Sequence, residues 1–272
     1  MLLNFNIKLL DTNVKLNIKH YKMNFEKVAE HLEGIPCIPK SHGRFIYEYI
    51  LKRKLHSCLE LGFYHGVSTC YIAAALQELG RGKIITVDLQ SSHKNSPNLE
   101  QLLEKTGLSS YVQIFREKDC YTWFLKKMIE QNLSQNNGRP IIDFCFIDGP
   151  KLWKTDGFAF FLVDKLIKRG GSILFDDLTW SVGAHARGRD MGQKNFSADQ
   201  IQHPNIESVF RLLVYTHPEY NEFEILGDNF ALCRKIHKKK KDIAYISSEA
   251  VKNFHKSINF PQYQNTISSE PL

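Results

Sequence analysis

The sequence predicts an α/β fold: a mostly parallel, seven-stranded sheet with helices on both faces, closed by a C-terminal antiparallel β-hairpin. Three observations carry it. From residue 56 to 175, short, nearly continuous apolar runs alternate with stretches of helical period, which is how parallel strands covered on both faces read. Acidic residues and glycines gather where those runs end, at Glu60, Gly62, Asp88, Asp148, Asp176 and Asp177. Two last strand runs, 222–226 and 230–235, are separated only by Gly227-Asp228-Asn229, a hairpin turn.

Each element follows from local chemistry. Residues 1–22 show no sustained period, and Met23 offers an alternative start. Phe25, Val28 and Leu32 have helical spacing, and Gly34-Ile35-Pro36-Cys37-Ile38-Pro39 then forces an extended loop. Ser41 is placed to cap a helix over 42–52 with Phe45, Ile46, Tyr49 and Ile50 buried. Strand 1 is expected at 56–61 and a helix at 68–79, ended by Gly80-Arg81-Gly82; strand 2 follows at 83–88 and a helix at 99–106, stopped by Gly107. Strand 3 is read at 111–115, a helix at 119–131, strand 4 at 141–147 and a helix at 153–168. Gly170-Gly171 then leads into strand 5 at 172–175, and a last helix at 205–216 is opened by Pro204.

Composition bounds the class. With 272 residues, 43% hydrophobic and 12% aromatic, the chain can bury one sizeable core. No stretch nears the roughly 18 apolar residues of a membrane span, and the first residues are too interrupted for a signal peptide, so a cytoplasmic location is expected. The six cysteines form no CxxC pair, and no histidine pair is spaced for zinc, so reduced core thiols are expected. Residues 1–22 carry four lysines and one aspartate, and 234–272 carry eight Lys/Arg and three acids, which leaves the central 23–233 segment at −1 of a total of +7. The basic balance thus belongs to the ends, which argues against nucleic acid as a partner of the central segment.

The strand ends carry the chemistry. Ligands of open parallel sheets bind outside the carboxyl ends of the strands, near the switch point. In Glu60-Leu61-Gly62-Phe63-Tyr64-His65-Gly66, an acid precedes a glycine turn and a helix start whose free N–H groups face the same space. Asp88 ends strand 2, where an acid can reach a ribose. The dinucleotide pattern Gly-x-Gly-x-x-Gly is absent, which disfavours a nicotinamide oxidoreductase.

These residues resemble the class I, Rossmann-like S-adenosylmethionine-dependent methyltransferases, whose first motif has the form Glu-x-Gly-x-x-x-Gly and whose sheet ends in an antiparallel hairpin. The resemblance covers about 35–236. It implies S-adenosyl-L-methionine as cofactor, held by Glu60, Gly62, Tyr64, Gly66, Ser68, Asp88, Leu89, Asp119, Cys120 and Asp148, with Asp119-Cys120 either meeting the adenine or capping the next helix. A narrower resemblance is to the catechol and caffeoyl-CoA O-methyltransferases: Asp148, Lys151, Asp176 and Asp177 stand in that family's places, followed by Trp180. Asp177 departs from that family's Asn. The resemblance implies O-methylation of a small-molecule hydroxyl, with Asp148, Asp176 and Asp177 as ligands of Mg²⁺ or Ca²⁺ and with Lys151 and Asp148 catalytic. Lys151 could take the acceptor's proton if burial or the metal lowers its pKa.

The glycine-rich segment 180–203, with His185, Arg187, Gly188, Arg189, Met191 and Gly192, reads as a substrate-facing lid in which Arg187 and Arg189 could hold an anion and His185 could be an alternative base. No Asn/Asp-Pro-Pro-aromatic motif follows strand 4, against methylation of a nucleic-acid base. The expected organisation is an N-terminal extension and helix at 1–34, the methyltransferase domain at 35–236 and a basic tail at 237–272; a homodimer stays open. The rival reading is a non-catalytic Rossmann-like module contacting RNA or an anionic surface through its basic ends.

Overall fold

The computed structural model describes residues 24–183, 196–227 and 229–236. In chain order they form α1 (Phe25–His31), α2 (Lys40–Arg53), β1 (Ser57–Leu61), α3 (Val67–Leu79), β2 (Lys83–Leu89), α4 (Leu99–Thr106), β3 (Val112–Glu117) and α5 (Tyr121–Asn136). There follow β4 (Ile142–Ile147), α6 (Trp153–Asp164), β5 (Ile167–Phe175), α7 (Ala198–Gln202), α8 (Asn205–Val209), β6 (Tyr220–Leu226) and β7 (Phe230–Lys235). The sheet order is β3-β2-β1-β4-β5-β7-β6; β1 to β5 run parallel and β7 is antiparallel to both neighbours. The order reverses between β1 and β4, so the crevice at their carboxyl ends is the expected ligand position.

Side-chain alternation divides the strands between two cores. Cys58, Phe144, Phe146, Leu174 and Leu232 face α1 to α4, while Leu59, Cys145, Ile147, Ile173 and Cys233 face α5, α6 and α8. The fully buried rings of Phe144 and Phe146 each contribute about 2–3 kcal/mol of burial free energy. Helix α3 is buried all round from Val67 to Leu76, and mostly apolar, because it is enclosed on every side. Phe25, Val28 and Leu32 belong to the same core, so α1 is packed into the body that contains the sheet. Helix α4 is closed by a capping box: Asn98 accepts from the Gln101 amide at 3.0 Å and its own amide donates to Gln101 Oε1 at 2.9 Å.

Several boundaries differ from those the sequence predicts. Helix α2 starts at Lys40 behind Pro39, with no side-chain cap, so Ser41 lies inside it; Tyr47 is fully buried, while Phe45 and Tyr49 are half-buried. Helix α5 starts at Tyr121 and runs to Asn136, because Asn137 in the left-handed region supplies the stop. Helix α6 ends at Asp164, and the chain enters β5 at Ile167 with Gly170-Gly171 inside the strand, beside a register shift between Ile142 and Phe144. The last helix is α-helical only over 205–209 and continues as a π turn over Phe210–Val214. Strand β6 begins at Tyr220, and Asp228 of the hairpin turn lies outside the described residues. All described cysteines are free, with Cys58, Cys70, Cys145 and Cys233 buried. No helix among the described residues is long and apolar enough to cross a membrane.

Candidate active site

At the carboxyl end of β1 the chain is threaded tightly between its neighbours. The Gly62 amide donates to the Val87 carbonyl (2.8 Å) and the Asp148 amide to the Leu61 carbonyl (2.9 Å). Gly62 has φ +92°, and a Cβ there would overlap the carbonyl oxygen of Asp148; a Cβ on Gly66 (φ +97°) would overlap Leu99. Both glycines are thus required by contacts within the protein. Asp88 holds the turn between them: its Oδ2 accepts from the amides of Phe63 (2.9 Å) and Tyr64 (2.6 Å), and its Oδ1 from Leu89 (2.6 Å). Three of the roughly four acceptor positions of a carboxylate are filled, so one is open to an incoming hydroxyl.

Glu60 lies wholly buried beneath this turn. Its Oε2 accepts from the Thr69 and Thr86 hydroxyls, the latter at 2.6 Å, and its Oε1 has no hydrogen-bond partner. Burial raises its pKa to about 7 against the pull of Ser68, Thr69 and Thr86. An orphaned buried carboxylate oxygen under a helix start fits a ligand that brings a cationic donor, as the amino acid end of S-adenosylmethionine would. Ser68 is buried in the first turn of α3, whereas Tyr64 (42% exposed) and Leu89 (43%) stand open at the mouth. Asp119 is exposed after β3, and Cys120, not Asp119, is the N-cap residue of α5, its Sγ 2.6 Å from the Thr122 hydroxyl.

Adjacent strands bring the second group together. One oxygen each of Asp148, Asp176 and Asp177, at the ends of β4 and β5, lies within 4.8 Å of the others. The Lys151 ammonium enters this cluster, bonded to Asp148 and 3.4 Å from Asp177 Oδ2, with only 6% of the residue exposed. Lys151 (φ +62°) and Asp177 (φ +57°) both hold left-handed backbone, strain that non-glycine residues keep only where surroundings enforce it. The enforcing contacts come from afar. Asn229 donates to Asp176 Oδ1, as does the Asp177 amide at 2.8 Å, and Asn205 donates to the Lys151 carbonyl at 3.3 Å. Buried Asp156 accepts from Tyr121 Oη (2.6 Å) and from the Leu152 amide (2.7 Å), pinning the loop after β4.

The electrostatics bear on one expectation. Burial disfavours the charge on Lys151, but Asp148, Asp176 and Asp177 outweigh it and hold its pKa above the usual lysine range, so burial by itself does not prepare it as a base. Burial raises the pKa of Asp148, which Lys151 opposes, and of Asp176, which the charge on Asp148 raises further. His42, in the first turn of α2, packs at a tilt against Phe230 with ring centroids 4.5 Å apart; its Nδ1 is shielded without a partner, and burial lowers its pKa against the field of Asp177.

Sequence reasoning missed Asn229, Asn205, Tyr121, Asp156 and His42, because none lies in a strand-end motif. The lid residues His185, Arg187, Gly188, Arg189, Met191 and Gly192 lie outside the described residues; of the predicted segment's flanks, the Gly183 amide donates to the Ile201 carbonyl at 2.8 Å. The trio of hard oxygen ligands without histidine or cysteine suits Mg²⁺ or Ca²⁺ in donor type.

Comparison with known proteins agrees with this geometry. A family model described as a methyltransferase domain matches residues 59–178, from Leu59 in β1 to Leu178 after β5. The chain is 26% identical to a caffeoyl-CoA O-methyltransferase of Mesembryanthemum crystallinum over 76% of each chain. It is 27% identical to caffeoyl-CoA O-methyltransferase 1 of Arabidopsis thaliana over 57% of this chain and 56% of that one. Among solved structures it resembles the O-methyltransferase TomG of Streptomyces achromogenes in complex with SAM (TM-score 0.54, 16% identity, 78% of this chain and 89% of that one). It also resembles the Bacillus cereus O-methyltransferase in complex with SAH (TM-score 0.51, 18% identity, 78% and 90%). A non-catalytic binding module is not favoured. With the glycine turn, the carboxylate-ended strands and the terminal hairpin all in place, the matched methyltransferase domain and these likenesses support an S-adenosylmethionine-dependent methyltransferase similar to the O-methyltransferases.

Proposed function

We propose that the enzyme methylates a hydroxyl of a small molecule, using a catalytic unit of residues 35–236 in which cofactor and acceptor lie side by side across the β1–β4 switch point. One observation carries this reading: Gly62 of the cofactor turn packs directly on the Asp148 backbone, whose side chain begins the charged cluster. On this reading Glu60 and Ser68 face the amino acid end of the cofactor, Asp88 the ribose, Tyr64 and Leu89 the rim, and Asp119 with Cys120 the adenine.

The acceptor hydroxyl enters beside Asp148 and Lys151. Lys151, held as an ammonium, orients the oxygen and stabilises its developing negative charge, while Asp148, whose burial raises its affinity for a proton, is placed to receive the hydroxyl proton. The oxygen then displaces the sulfonium leaving group directly, with rate enhancement from alignment and exclusion of water. Asp148, Asp176 and Asp177 would hold a divalent cation, which when bound supplies Lewis-acid polarisation of the hydroxyl. Asn229, Tyr121 and Asp156 act as positioning residues.

The test is calorimetry with S-adenosylhomocysteine, then transfer of labelled methyl from S-adenosylmethionine to a panel of small catechols, phenols and aliphatic alcohols. Saturable cofactor binding and transfer that falls at least about 100-fold in Asp148→Asn are expected. Transfer only to protein or RNA, or full activity of Asp148→Asn, would sink the reading.

A further inference from the structure

At the opposite edge of the sheet, where the parallel strands begin, a cavity of about 660 Å³ is open between the ends of α2, β2 and β5. It lies one strand length, about 16 Å, from the methyl-transfer site. Its lining includes five cationic side chains, Arg53, Lys54, Lys83, Lys168 and Arg169, against the single carboxylate of Asp143. That carboxylate is spent internally: Oδ2 accepts from the amides of His56 (3.1 Å) and Ser57 (2.9 Å), and Oδ1 from Lys168 Nζ (2.9 Å).

The remaining cations are poorly compensated. Arg53 lies over the Tyr49 ring at 5.9 Å, and its ion pair is a long one, 3.4 Å, with Glu222, which Arg234 already binds at 2.8 Å. Lys83 gives one of its three donors to the Ser110 carbonyl, and Lys54 and Arg169 make no ion pair among the described residues. The excess is local, since residues 23–233 as a whole sum to −1. His56, also in the lining, has an Nδ1 shielded from solvent with no hydrogen-bond partner, a state that buried polar atoms rarely keep. Gly82, Gly170 and Gly171 complete the wall without side chains to crowd it.

We propose that this cavity binds a small ligand carrying two or more linked phosphates. A diphosphate carries about three negative charges, comparable with the surplus of cations here, and arginine forks match phosphate oxygens. The volume falls in the range of about 300–1,000 Å³ occupied by small-molecule sites, too confined for a duplex or folded polymer to enter. The proposal does not depend on the identity of the methyl acceptor.

The test is calorimetry of the full-length protein at about 0.15 M salt with inorganic pyrophosphate, with ADP and with a single-stranded RNA, alongside amide resonance mapping with pyrophosphate. Expected are saturable pyrophosphate or ADP binding, shifts at Gly82, Gly170 and Gly171, and affinity at least tenfold weaker in the doubly substituted Lys54→Glu, Arg169→Glu protein. Affinity for S-adenosylhomocysteine should stay within twofold. The resonance map of the unsubstituted protein decides the matter if the variant misfolds. No saturable binding by either phosphate, shifts confined to other parts of the protein, undiminished binding by a folded variant, or RNA binding that pyrophosphate does not displace would each overturn the proposal.

Discussion

At the ends of β1 and β2, the carboxylates of Glu60 and Asp88 are met by two threonine hydroxyls and three backbone amides, all from within 26 residues along the chain. At the ends of β4 and β5, Asp148, Asp176 and Asp177 meet one lysine, one local amide and an asparagine 53 residues away. The first region is a backbone scaffold in which acids are struts; the second is a set of charges that balance one another in strained backbone. A scaffold of the first kind tolerates little change in shape, whereas the second tolerates shape change better than loss of charge.

The sharpest way to break that contrast is Gly62→Ala, which should lower unfolding stability by about 3 kcal/mol or more, because φ is positive and the Asp148 carbonyl blocks the methyl group. The denaturant midpoint reads it, and an unchanged midpoint would mean the turn is looser than its packing. In Lys151→Met, methyl transfer should fall at least about 100-fold while affinity for S-adenosylhomocysteine stays within about threefold. Equal losses in both would show that the two regions are one unit. The same variant sharpens the role of the acids: Mg²⁺ should raise its melting temperature more than that of the unsubstituted protein, since ammonium and cation compete for the same three carboxylates.

Glu60 gives a smaller, pH-dependent effect. Its folded pKa of about 7 lies above the value of 4.5 expected for a free glutamate, so its contribution to stability is full below about pH 4.5 and is lost as pH rises through about 7. Without cofactor, Glu60→Gln should remove up to about 3 kcal/mol of that decline between pH 4.5 and 8, read as midpoints against pH. Smallest is Tyr121→Phe, which leaves Asp156 one hydrogen bond short and should cost about 1–2 kcal/mol in thermal unfolding.

The order of strands and helices was legible because apolar period and glycine stops are local. Ends were less so: β5 begins at Ile167 because its neighbour β4 extends pairing that far, and nothing in Gly170-Gly171 announces that a strand passes through it. In the site, the acids at the strand ends were legible by position. The direction of the Lys151 pKa was not, since it depends on how closely Asp176 and Asp177 approach after β4 and β5 pair.

The sequence by itself determined the α/β alternation, the terminal hairpin and the placing of Glu60, Asp88, Asp148 and Asp176 at strand ends, because a strand's length and its bounding turns are set within a few residues. Tertiary structure alone decided what those acids meet: that Gly62 answers to the Asp148 backbone, that Asn229 and Asn205 reach the cluster from the far end of the chain, and that five cations surround a cavity at the opposite edge. These depend on which strands become neighbours, and charge and close contact act through space, over distances that sequence separation does not measure.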